Sequence, residues 1–327
     1  MARSRRPRLA VTLGDPRGIG PEVVARALGE APLAADVVLV GPDDQLGGIP
    51  ARSRLGVGPW ERGSGEWGVV PSGEPASTTP HSPRLDEVAR LAGLVSVRSI
   101  ERAVWLARAG EVDAVVTGPV EKRALHLAGY RFPGVTELLS HLAGNTPTVM
   151  MLTAGQLRVV LVTTHIPLRE VPQRLTTDGI VAVGRITVAA LARWWGLTAP
   201  RLALCALNPH AGERGLFGDE DDRILRPAAE AIGAAGPLPA DTVFVRALRG
   251  EFDVVLAPYH DVGMTAVKVA GFGKGVNVTL GLPFPRTAPD HGTAFDIAGK
   301  GMADPGSMRA ALELATQLAG RTVSRMD

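Results

Sequence analysis

RLAVTLGDPRGIGPEVVARAL, running from Arg8 to Leu28, decides the architecture. An apolar run from Arg8 to Leu13 has the length of a buried strand, glycine and proline then turn the chain, and a helical pattern follows from Pro21 to Leu28. Proline suits that first helical position, because the amide it lacks has no partner there. The alternation recurs downstream, with strands predicted at Asp36 to Val40, Val112 to Val116, Thr148 to Leu152, Leu157 to Thr163, Arg201 to Ala206 and Asp253 to Ala257. Helices are predicted at Leu85 to Ala109, Thr177 to Trp194, Asp219 to Ile232 and Ser307 to Leu318. Short strands alternating with longer helices predict an α/β fold, a parallel sheet covered by helices. Residues 46 to 84, rich in Gly, Pro and Ser and without a steady period, are expected as loop or irregular edge structure.

The 327 residues suffice for two compact domains, and 45% apolar with 21% charged residues excludes a disordered or fibrous chain. No apolar run approaches the ~20 residues needed to cross a bilayer, and no apolar signal segment follows the basic start, so neither membrane insertion nor export is expected. The single Cys205 excludes an intrachain disulfide and a cysteine zinc cage, which fits a cytoplasmic setting. Net charge is +2, and the arginines are scattered apart from Arg3, Arg5, Arg6 and Arg8. Without a basic stripe or stacking aromatics, no nucleic-acid partner is expected. Of only four lysines, Lys268, Lys274 and Lys300 lie close together, which points to a local use for a compact point charge.

Three regions carry chemistry. The turn Gly14, Asp15, Pro16, Arg17, Gly18 brings backbone close to a ligand ahead of a helix N-terminus, although an ordinary strand-to-helix turn is the competing reading. It is neither a Walker A loop nor a GxGxxG fingerprint. His165, His210 and His260 each follow an apolar strand, where strand ends converge on a ligand crevice, so together they suggest a metal site for zinc, cobalt, nickel or manganese. Asp261 either orients such a ligand or stays solvated. Finally, Lys268, Asn277 and Arg286 are broken up by turns able to fold them onto one surface suited to an anion, with two surface cations and a turn asparagine as the competing reading, while His291 to Gly299 (HGTAFDIAG) offers small residues and Asp296 for ribose hydroxyls.

With LGDPRGIGPE, TGPVEKRALH, GVTELLSHLAG, VTTHIPLREVP, LNPHAGERGLFGDED and the block from Ala257 to Gly301, the chain resembles the 4-hydroxythreonine-4-phosphate dehydrogenase family of vitamin B6 biosynthesis nearly end to end. Its first and last motifs also resemble elements of isocitrate and isopropylmalate dehydrogenases. The resemblance implies a two-domain α/β/α subunit with a central cleft. By analogy, residues 1–128 and 262–327 form one domain and 129–261 the other. It implies a homodimer whose site borrows a ligand from the partner, and one divalent metal (zinc, cobalt, manganese, nickel or magnesium) on His165, His210 and His260. Substrate contacts then fall on Thr136, Lys268, Asn277 and Arg286, with Lys268 and Asp261 as catalytic candidates. NAD or NADP falls on Gly14, Asp15, Gly18, His291, Gly292, Thr293, Ala294 and Asp296.

One position departs from the family pattern: Val135 stands where the family has a substrate-contacting histidine, and valine neither donates a hydrogen bond nor carries charge. The implied reaction is metal-assisted oxidation of 4-phosphooxy-L-threonine to a β-keto acid, which decarboxylates to 3-amino-2-oxopropyl phosphate. The alternatives are a phosphorylated sugar acid or a cyclic dihydrodiol carboxylate as substrate. Two competing classes are an acyl-transferring enzyme of similar architecture and a metabolite-binding protein without turnover.

Overall fold

The structure, a computed structural model, describes residues 5–58 and 83–323, so most of the stretch expected as irregular lies outside the described residues. Every predicted strand forms within two residues of its expected limits: β1 (Arg8–Thr12), β2 (Asp36–Gly41), β4 (Ala114–Thr117), β5 (Val149–Ala154), β6 (Leu157–Leu161), β7 (Leu202–Cys205) and β9 (Val254–Ala257). Four more join them, β3 (Ser53–Gly56), β8 (Ala235–Leu238), β10 (Val276–Leu280) and β11 (Arg286–Pro289). The helices are α1 (Gly20–Glu30), α2 (Pro83–Arg108), α3 (Lys122–Leu127), α4 (Val135–Leu142), α5 (Val171–Arg174), α6 (Thr177–Ala190), α7 (Arg226–Ile232), α8 (Ala240–Leu248), α9 (His260–Gly271) and α10 (Gly306–Val323). None is both long and apolar enough to cross a membrane by itself.

The described strands form one sheet in the order β3-β2-β1-β4-β11-β10-β5-β6-β9-β7-β8. It is mixed rather than parallel throughout: β10 runs antiparallel to β11 and to β5, and β5 antiparallel to β6. The cause is connection length. Only Gly155 and Gln156 separate β5 from β6, which permits a hairpin and no crossover helix.

Alternating side chains send each strand into two cores. Leu9, Val11, Ala114, Val116, Met151, Leu256 and the apolar side of β10 face one continuous cluster closed by α1, α6, α7 and α10. The opposite face is split. Ala10 and Val115 pack under α2 and α4, whereas Leu152, Val159 and Val255 pack under α8 and α9. Between these two covers runs the polar face of β10 and β11.

A polar seam, a histidine pair and a glycine turn

Asn277 and Thr279 on β10 share that face with Arg286 on β11, because Thr279 stands opposite Arg286 and Asn277 opposite Ala288 in the antiparallel register. Arg286 is 4% exposed. Its guanidinium donates to the Thr279 hydroxyl at 3.0 Å and to the Thr117 hydroxyl of β4. No carboxylate pairs with it among the described residues, and burial lowers its pKa from 12.5 to about 10. Its Nε and the Oδ1 of Asn277 are buried without partners. A buried cation lacking a counter-charge is expensive to keep, and the chemistry of this face suits an anion brought from outside. Lys268, on α9 beside it, is half exposed and loosely tied to Asp290, 3.3 Å from the carbonyl and 3.4 Å from the carboxylate.

The histidine triplet divides. β6, β9 and β7 are adjacent and parallel, so His165, His260 and His210 leave one edge of the sheet. The His165 and His260 rings come together, with centroids 5.4 Å apart. Burial first, and His260 second, hold the His165 imidazole below its ordinary 6.5, with Lys122 adding to this and Glu137 opposing it. That keeps a ring lone pair free for a ligand bond. His260 Nδ1 donates to Asp261 Oδ1 at 2.6 Å, which leaves Nε2 as the free donor of electrons. His210 does not join them: among the described residues no group of three or more His, Cys, Asp and Glu gathers to hold a metal within one chain. Instead it is exposed and starts a left-handed turn in which His210, Ala211, Glu213 and Arg214 have φ between 41° and 57°. Such residues cost roughly 1–2 kcal/mol each, a strain that the surrounding hydrogen bonds must offset.

Thr136 lies half-buried in the first turn of α4, directly after Val135, which packs on the α2 side of the seam. Glu137 and Lys122, from α4 and α3, are near enough to His165 to act on its charge, and sequence reasoning assigned neither a role. Only their motifs, TGPVEK and GVTE, signalled them.

The glycine turn is shaped by packing. At Gly14 (φ +81°) an added Cβ would stand 2.3 Å from the Pro119 carbonyl oxygen, and at Gly18 one would stand 2.7 Å from that of Thr293. Asp15 is fully buried, and its carboxylate accepts from the Arg17 amide, Nε and a terminal nitrogen, at 3.0, 3.0 and 2.7 Å. Arg17 also bonds Glu121 at 2.6 Å and lies 4.9 Å from the Phe295 ring centroid. The Ile19 amide donates to Thr293 at 2.9 Å, so the first motif is clamped against the last. In that last motif Ala294 has φ 41°, Gly292 and Asp296 are exposed, and His291 donates through Nδ1 to Gly292 at 3.0 Å. The His291 Nε2 is left buried without a partner. The structure thus gives Asp15 a structural partner and leaves His291 with an unanswered polar atom.

The family model for the pyridoxal phosphate biosynthetic protein PdxA matches residues 66–315. A 4-hydroxythreonine-4-phosphate dehydrogenase of Beijerinckia indica is 44% identical, over 95% of this chain and 94% of that one. A D-threonate 4-phosphate dehydrogenase of Cupriavidus necator is 42% identical, over 96% and 98%. The crystal structure of a Klebsiella pneumoniae 4-hydroxythreonine-4-phosphate dehydrogenase superposes with a TM-score of 0.81 at 39% identity, covering 97% of this chain and 99% of that one.

Proposed function

The chain belongs to the family of the pyridoxal phosphate biosynthetic protein PdxA, and on that premise we propose that it oxidises the C3 hydroxyl of a four-carbon acid phosphorylated at C4, with 4-phosphooxy-L-threonine as the first-choice substrate. The observation that carries the reading is the buried, uncompensated Arg286 guanidinium beside the unpartnered Asn277 oxygen. Arg286 offers a fork for two oxyanion atoms and Lys268 a mobile point charge. Asn277, which has both a donor and an acceptor, and Thr136 complete the clamp on the anionic substrate.

His165 and His260 would hold a divalent cation, their donor atoms suiting zinc, cobalt, nickel or manganese. His210 would join them from a second copy, a reading supported by its exposure on a left-handed turn beside the exposed Leu216 and Phe217. His291 and Asp296 would receive the adenosine part of NAD or NADP, with the orphaned Nε2 as one acceptor. When bound, the cation supplies Lewis acidity and the nicotinamide supplies the hydride acceptor.

The protein's own groups do the rest. Arg286, Lys268, Asn277 and Thr136 fix the substrate so that C3 faces the histidine pair. Asp261 fixes the His260 tautomer. Lys268, only loosely held by Asp290, would pass the hydroxyl proton toward solvent, its ammonium giving up one proton as it takes up the other. The resulting β-keto acid loses carbon dioxide because its ketone takes up the electron pair. Decarboxylation of the threonine-derived product leaves 3-amino-2-oxopropyl phosphate.

D-threonate 4-phosphate is the second reading, favoured by the Cupriavidus necator relative and by Val135, which offers no polar contact to the substrate. The two compounds differ at C2, amine against hydroxyl. Two domains, residues 1–128 with 262–327 and residues 129–261, belong to the same proposal. The sheet order supports them, since β3-β2-β1-β4-β11-β10 and β5-β6-β9-β7-β8 are contiguous blocks.

The test is NAD(P)H formation by chelator-treated protein from both phosphorylated acids and from their dephosphorylated counterparts, with each divalent metal added back. Turnover of a phosphorylated acid alone is expected. No turnover of either with any metal overturns the proposal.

A further inference from the structure

From the strand end that precedes His210, we infer that Asp221 is the positioning residue for that histidine. Asp221 is fully buried, and no arginine or lysine pairs with it among the described residues. Its carboxylate is spent on two consecutive backbone amides, Leu207 to Oδ1 at 2.8 Å and Asn208 to Oδ2 at 3.0 Å. These amides lie just before Pro209 and His210, where β7 has ended and no ladder partner remains for them. A parallel tie runs from Asn208 Nδ2 to Glu220 at 2.9 Å.

From this anchor six consecutive residues, His210 to Gly215, take positive φ, and the turn closes through Leu216 to Glu213 at 3.3 Å and Phe217 to Gly212 at 3.2 Å. A left-handed run containing four non-glycine residues does not hold itself. It is held at its start by Asp221, whose position fixes where the backbone leaves the strand and hence where the exposed imidazole stands. Buried acceptors for two adjacent amides suit a carboxylate: an amide in its place offers one oxygen and sets an NH2 against the second N–H.

The inference rests on the proposed role of His210 as a metal ligand, and the experiment separates the two. Cobalt(II) is titrated into the metal-free full-length protein, and the affinity and the visible ligand-field spectrum are read for wild type, Asp221→Asn, His210→Ala and the double variant. Asp221→Asn is expected to weaken cobalt binding by about tenfold, the usual effect of losing an outer-shell support, and to shift the spectrum toward that of His210→Ala. The double variant is expected to bind no more weakly than His210→Ala, because Asp221 acts through that ring. A purely structural role would lower the melting temperature and leave the cobalt spectrum alone, or add its loss to that of His210→Ala. Either result overturns the assignment. Unchanged affinity in His210→Ala removes the metal role of His210, and the inference with it. Where Asp221→Asn does not fold, Asn208→Ala cuts the parallel tie to Glu220: a few-fold weaker cobalt affinity supports the assignment and unchanged affinity overturns it.

Discussion

Replacing Arg286 by methionine is expected to abolish anion binding while leaving the ligand-free protein as stable as wild type or slightly more so. Burial moves the guanidinium pKa from 12.5 to about 10, which at roughly 1.4 kcal/mol per unit is a penalty on the order of 3 kcal/mol. The sign follows from the charge: the folded state disfavours the protonated form, so at neutral pH it bears the whole penalty, which fades only as pH rises past the folded value. Methionine removes this penalty and fills most of the volume. Against it stand the bonds to Thr279 and Thr117, worth about 1 kcal/mol each. The balance is about 1 kcal/mol of stabilisation, or roughly 2 °C in melting temperature for a chain of this size. Calorimetry with and without the phosphorylated substrate measures both halves. Wild type should melt higher with ligand; the variant should not respond. A variant that loses several kcal/mol yet still gains stability from ligand would refute the idea that this side chain is kept for an anion rather than for the fold.

Lys268→Gln should raise KM for the phosphorylated acid by roughly 10- to 100-fold, the worth of a charge-assisted hydrogen bond, with little change in melting temperature, since its ammonium is half exposed; steady-state kinetics beside a thermal melt checks this. Gly14→Ala should prevent stable folding, because its Cβ would stand 2.3 Å from a carbonyl oxygen in a left-handed backbone conformation; soluble yield and circular dichroism report the outcome. Asp253 accepts three bonds from Arg201, and these hold its carboxyl below 3.8. Asp253→Asn should therefore cost at most about 1 kcal/mol at neutral pH, the cation being solvent-exposed. Denaturation at several pH values should find that gap constant above 3.8 and closing as pH falls through the lower folded value.

Strands such as Leu9 to Val11 and Val254 to Ala257 were legible because their buried faces are uniformly apolar. β10 and β11 were not, because Asn277 and Arg286 interrupt the pattern and Pro283, Pro285 and Pro289 read as breakers. The polarity that hid these strands is what lines the polar seam. α9 was missed for another reason: Gly263 looks like a breaker, but it lets the helix close on β6 and β9, where a Cβ would lie 2.5 Å from Leu161. That Arg17 folds back onto Asp15 is a contact that the sequence does not reveal. Strand ends grouped His165, His210 and His260 as one expectation, and within the chain the rings of His165 and His260 come together. The left-handed turn that begins at His210 is a feature that no residue pattern announces. Asp221 lies in the acidic run GDED at the start of the helix predicted from Asp219 to Ile232, where nothing in the sequence marks it as buried.

The place of β11 between β4 and β10 governs how the molecule is made. Val115 waits for Arg286 and Val116 for Thr287, so the sheet stays open on that side until synthesis has passed the last strand. During that interval β4 presents an unpaired edge. Biogenesis in a crowded cell therefore has a vulnerable window late in translation, and substitutions that slow the docking of the β10–β11 hairpin should lower soluble yield more than they lower the stability of molecules that have finished folding.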